Sequence, residues 1–135
     1  MPTRRPGDRK GATMVEFAIA CTVFFMVVFG AIEFSHAVWQ FNVVANATKA
    51  AARWTIVRGG SAGQTAVADT SIHNYIVTQM YGYPETDSIT WSPTTKTRGD
   101  TIKIVVRSSY TIGVPRLFTA YTVPMRSAAK MIIAR

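Results

Sequence analysis

Across residues 14–32 the chain carries one ionisable group, Glu16, and one other clearly polar residue, Thr22. So apolar a run has few destinations. It is close to the roughly 20 residues that a spanning helix needs. Buried helices of soluble proteins rarely stay apolar on every face for so long. The pattern therefore predicts a membrane span, with a soluble core helix as the alternative. An unpaired carboxylate is costly in hydrocarbon, which makes Glu16 a candidate functional residue.

The flanks predict an orientation. Arg4, Arg5, Arg9 and Lys10 precede the run, and the next base after it is Lys49. The positive-inside bias puts the N-terminus in the cytoplasm and the remainder across the membrane. A secretory signal peptide shares the basic start. The run is longer than a typical signal core, however, and no small-x-small site is followed by a change of character. The 135 residues suffice for the span and one small domain. Their net charge is +8, from 15 bases and 7 acids. Residues 1–11 hold four of the bases and one of the acids, so the rest carries 11 against 6, a net +5. The surplus is partly topogenic and otherwise scattered, which does not point to nucleic acid. The lone Cys21 lies in mid-span, forms no disulfide framework and reads as a small packing residue.

Residues 1–11, with two Pro and two Gly, read as a disordered leader, and a helix is expected from about Ala12. Beyond Glu33 its period persists but it becomes amphipathic. Val43, Ala47, Ala50, Trp54 and Val57 form an apolar stripe, and Asn42, Asn46, Lys49 and Arg53 a polar one. Gly59, Gly60 and Gly63 end it. A second helix fits 65–80, with Val67 or Ala68, Ile72, Tyr75, Ile76 and Met80 on one face, stopped by Gly82 and Pro84. The period then becomes two. Ile89 and Trp91 make a brief strand, and 92–100 a turn-rich connection. In 101–112 the apolar residues are Ile102, Ile104, Val106, Tyr110 and Ile112. In 121–134 Val123, Met125, Ala129, Met131 and Ile133 oppose Arg126 and Lys130. The expected fold is α+β. A long N-terminal helix, transmembrane first and amphipathic after, a short second helix and about three antiparallel strands share one core.

Few residues suggest chemistry. Glu33 lies 17 positions beyond Glu16, roughly 25 Å along a helix, and reads as marking the outer end of the span or contacting a partner subunit. Gly30 on the same helix would permit close helix approach, and Trp39 and Phe41 suit an interfacial aromatic belt. His36 and His73 lack the spaced Cys or acid partners of a metal site. Glu33, Ser35 and His36 are too close in sequence to face one another on a helix. Arg98-Gly99-Asp100 matches an adhesion tripeptide, but Gly-Asp in a hairpin has a local explanation. Asn46-Ala47-Thr48 is a glycosylation sequon in form only. No catalytic set, metal site or cofactor motif is expected, so an enzyme is the last of the readings.

The segment Arg9-Lys10-Gly11-Ala12-Thr13-Met14-Val15-Glu16-Phe17 resembles the cleavage site of a type IV prepilin: Gly, four residues, then Glu-Phe. With Phe29-Gly30-Ala31-Ile32-Glu33-Phe34 and Asn46-Ala47-Thr48-Lys49-Ala50-Ala51-Ala52-Arg53, it resembles the TadE-like minor pseudopilins of the tight-adherence (Flp) pilus. The likeness covers about 9–58. The chain lacks the Phe-Thr-Leu-type residues that follow the cleavage Gly in commoner type IV pilins, and it is too long for the major Flp pilin. The resemblance implies a cleaved leader 1–11, a transmembrane helix 12–38 and a periplasmic domain 39–135. It implies cleavage between Gly11 and Ala12 by a prepilin peptidase, with Glu16 and Phe17 as the processing and assembly motif. The Glu16 carboxylate would then pair with the new Ala12 α-ammonium of a neighbouring subunit. The implied partners are that peptidase, other minor pseudopilins, the major Flp pilin or the inner-membrane platform, and membrane lipid. An uncleaved, membrane-anchored binding module with a basic exterior domain is the alternative.

Overall fold

The computed structural model describes residues 8–58, 68–83, 85–92, 99–112 and 121–133. The first helix, α1, is Asp8–Arg58, 51 unbroken residues and about 75 Å long. It starts one turn earlier than expected: residues 8–11 are helical, not irregular. No proline follows Pro6 until Pro84, and an acid at the first position suits the helix dipole.

Its two halves meet different surroundings. Residues 12–32 are exposed except for the half-covered Cys21 and Val28. Phe17 is 69% and Phe24 62% exposed, which rules out a core helix. This bare stretch is about 30 Å long, the thickness of a bilayer's hydrocarbon layer, and is a candidate membrane span. In the middle of it the Thr22 hydroxyl is satisfied within the helix, donating to the Ala18 carbonyl at 2.8 Å.

The second half of α1 is the floor of the domain. Gln40, Val43, Val44, Ala47, Thr48, Ala51, Ala52 and Thr55 are buried. The buried stripe is rotated from the expected one. Val43 and Ala47 belong to it, but Ala50 and Trp54 are half-buried and Val57 is 67% exposed. The physical reason lies in the threonines. Thr48 and Thr55 donate to the Val44 and Ala51 carbonyls at 2.7 Å, leaving no hydroxyl to satisfy elsewhere. With the small Ala47, Ala51 and Ala52, they form a low surface on which a sheet can lie.

The second helix, α2, is Asp69–Gln79. Ile72, Ile76 and Met80 are buried as expected, Tyr75 is half-buried and Ala68, extended just before the helix, is exposed. Tyr75 stacks on Trp54 at 5.2 Å between ring centroids. The ring stack joins the two helices, and the Arg58 guanidinium, one turn on from Trp54 on α1, lies 4.5 Å from the same indole. At the exit Tyr81 has φ 52° and Gly82 φ 83°, the left-handed geometry that favours glycine. The expected glycine stop 59–63, Thr65 to Val67 and Pro84 lie outside the described residues.

Three strands follow: β1 Glu85–Ser92, β2 Thr101–Thr111 and β3 Thr122–Ile132. They form an antiparallel sheet in the order β1-β2-β3. β1 is eight residues long, not a brief pair: its inner-row positions 85 and 87 are Glu and Asp, so apolar alternation shows only at Ile89 and Trp91. The inner face presents Ile102, Ile104 and Val106 from β2 with Met125, Ala129 and Ile133 from the last segment. It closes the core against α1, with α2 at the side.

The rotated stripe separates two valines of the same helix. Val44→Ala should cost about 2 kcal/mol and Val57→Ala less than about 0.5 kcal/mol, compared by denaturant unfolding in a neutral detergent. Equal costs would contradict the packing.

Candidate functional site

Two places on α1 gather the candidate residues. At the N-terminal end, Gly11, Ala12, Glu16 and Phe17 all lie on the exposed helix. Ala12 and Glu16 are four residues apart and so share a face. No described residue covers them. Further along, Gly30 has nothing within 4 Å of where a Cβ would stand, so no helix among the described residues packs on it.

Glu33 is different. It is half-buried and accepts a short hydrogen bond at Oε2 from the hydroxyl of Tyr110, near the end of β2. Seven residues on, on the same helix face, Gln40 Nε2 donates to Ser108 Oγ at 2.8 Å and to the Ser109 carbonyl at 3.2 Å. Tyr110 and Ser108 are two apart on β2 and therefore point the same way. Two polar contacts thus fasten the sheet to α1 where the bare stretch ends. Trp39 and Phe41, flanking Gln40, are exposed, as an interfacial belt would be. The hydrogen bond to Glu33, then burial and the carboxylate's charge, push the Tyr110 phenol up to about 12. Charge-charge repulsion and loss of the donated proton both disfavour the phenolate.

Sequence reasoning missed this clamp. Glu33 read as the polar end of the span, and Tyr110 as one more apolar position. The available signal was that a tyrosine on a buried face needs a partner for its hydroxyl.

The histidines separate. His36 is exposed. His73 Nδ1 lies 2.8 Å from Asp87 Oδ1, linking α2 to β1. Next to this pair both Glu85 oxygens are buried without a hydrogen-bond partner. Burial pushes the Glu85 carboxyl up, His73 opposes this and Asp87 adds to it. Among the described residues no group of three or more His, Cys, Asp or Glu is placed to hold a metal. Of the adhesion-like tripeptide, Arg98 lies outside the described residues. Gly99, at φ 92°, donates its N–H to the Ile133 carbonyl at 2.9 Å, and Asp100 is buried with its carbonyl accepting from Ile133 N–H at 2.9 Å. That turn joins β2 to the end of β3 and does not present its carboxylate.

Two titrations follow from these contacts. The stability that Tyr110 gains from Glu33 is complete below pH 10 and lost as pH rises through about 12. The phenolate absorbance difference between the wild type and Tyr110→Phe should therefore appear near pH 12, and in a Glu33→Gln background at lower pH. A wild-type difference centred near 10 would contradict the clamp. For Glu85 the sign is the same: a raised carboxyl favours the fold below its ordinary value of 4.5, and this is lost as pH rises through the raised value. Glu85→Gln should raise the unfolding midpoint at pH 7 and leave it nearly unchanged at pH 4; a drop at pH 7 would show an unseen partner.

No curated protein and no solved structure matches the chain significantly. A family model does. The family described as TadE-like protein matches residues 11–53, from Gly11 at the expected cleavage site to the helix floor beneath the sheet. α2 and the strands lie outside the matched residues. Over residues 11–53, about a third of its length, the chain is similar to the TadE-like family.

Proposed function

We propose that the chain is a minor pseudopilin of a tight-adherence pilus, cleaved after Gly11 and acting structurally in pilus initiation or assembly. The observation that carries this reading is the bare half of α1. Apart from the half-covered Cys21 and Val28 it is exposed over about 30 Å, and the family match begins at its N-terminal edge. The basic residues before it favour an N-terminus in the cytoplasm and a periplasmic sheet domain.

In this reading, cleavage removes residues 1–11, whose last four form the first turn of α1, and creates an α-ammonium on Ala12. Within one chain that group would sit one turn below Glu16. Between chains packed in parallel with an axial offset, the ammonium of one subunit meets the Glu16 carboxylate of the next. Each charge compensates the other in a medium that solvates neither, so the pair fixes axial register. Gly30, open on its face, offers a place for another helix to approach. Phe24, Phe25 and Phe29, already in ring contact with one another at 5.6 and 6.1 Å, would pack against lipid or neighbouring helices. The sheet domain does no chemistry here. It gives the span a rigid head, held by Tyr110 and Gln40, through which position is passed to partner subunits or to the inner-membrane platform.

Mass spectrometry of the membrane-bound protein should find Ala12 at the N-terminus, with the full leader retained in Gly11→Asp. Glu16→Ala should leave cleavage largely intact and sharply reduce piliation. An intact leader in cells with active prepilin peptidase would instead favour the anchored binding module. Normal piliation of Glu16→Ala would remove the pairing step.

A further inference from the structure

The face of the sheet turned away from α1 is charged with one sign. The register sets Lys103 opposite Lys130 and Arg107 opposite Arg126, and all four side chains are exposed. Thr90 and Thr86 continue these two rows on β1. The rows are four residues apart along each strand, about 13 Å. No Asp or Glu occupies an outer-face position of any strand, and none of the four bases has an ion-pair partner among the described residues. Like charges placed directly opposite one another destabilise a sheet, and here two such pairs stand side by side. Between the rows lie Ser88, Val105 and Ala128. Val105 is 5% exposed, Ala128 beside it is exposed and Ile132 at the end of the face is 62% exposed; among the described residues no helix or strand lies over this face. A small-residue and apolar middle flanked by charge has the make-up of a protein interface.

We propose that this outer face docks the acidic surface of a different protein. This goes beyond the pseudopilin reading, and its in vitro test does not depend on piliation. Charge complementarity excludes a second copy. Of the seven acids, Asp8 and Glu16 belong to the N-terminal stretch of α1, Glu33 is held by Tyr110 and Asp87 by His73. Asp100 and the Glu85 oxygens are buried, so of the acids in the sheet domain Asp69 is the exposed one. The lie of the sheet disfavours a membrane surface. Tyr110 touches Glu33 where the span ends, whereas Lys130 and Thr101 share a groove with Ile56 near the far end of α1. The basic face therefore runs away from the bilayer, and headgroups would reach only its near edge. Paired arginines on adjacent strands suit carboxylates, which they bind in a fork geometry.

The test uses the full-length protein in neutral-lipid nanodiscs, with poly-L-glutamate as the carboxylate probe and phosphatidylglycerol vesicles as the lipid arm. Poly-L-glutamate should bind with strong salt dependence, and R107E/R126E should weaken it by about tenfold or more. The same two-charge reversal on the exposed helix face, K49E/R53E, should change it little. R107Q/R126Q, checked by circular dichroism, guards against loss of fold. Ala128→Cys in a Cys21→Ser background should give no disulfide-linked dimer under mild oxidation. Probe binding indifferent to the Arg substitutions, absence of probe binding, preferential vesicle binding lost in the same variant, or ready dimer formation through Cys at 128 would each overturn the proposal.

Discussion

Inside a bilayer the backbone has no water to bond with, so each N–H and C=O has to be satisfied by the chain itself, which a helix achieves within one segment. α1 extends that requirement into a domain. Its ladder runs without a break over 51 residues, through the bare stretch and on beneath the sheet. Because the helix is continuous, rotation or tilt of the membrane half is transmitted to the sheet-bearing half, limited only by gentle bending. The clamp from Tyr110 to Glu33 and the bonds from Gln40 to β2 stand where the two environments meet. They hold the sheet's near end to the helix at the place where the bare stretch gives way to packed protein.

Packing on the far half follows from small residues more than from large ones. Ala47, Ala51 and Ala52 let the strands come close, and the threonines bond back into their own helix. The large apolar side chains come from the other side, as Ile102, Ile104, Ile133, Ile72 and Ile76. This division of labour leaves polar Asn42, Asn46, Lys49 and Arg53 exposed on the opposite face of the helix.

Hydrophobic period made much of the fold legible. The long helix, the second helix and the alternation of β2 and β3 all emerge from spacing, and Met125, Ala129 and Ile133 fall on the expected face. What spacing could not convey was satisfaction of polar groups. Thr48 and Thr55 look polar in a sequence and behave as methyl-bearing core residues once their hydroxyls bond locally, so the stripe through Val57 was drawn too far round. β1 was drawn too short because Glu85 and Asp87 stand at its inner positions, where apolar residues would have shown the alternation. Glu33 stood out, but its partner is 77 residues away, and no local pattern links them. The opposed bases of β2 and β3 were visible singly; only the register makes them pairs.

If the bare half of α1 is a membrane span, it lies in lipid while the other half carries the domain beyond it. The chain's single cysteine, Cys21, lies inside the bare half and reports on this directly. In intact membranes Cys21 should resist a membrane-impermeant maleimide applied to either side and react once the protein is denatured. In a Cys21→Ser background, Asn46→Cys, exposed on the domain half, should react from the outer side without denaturant. Labelling of native Cys21 in sealed membranes would contradict the account, because it would place the apolar half of the helix in water.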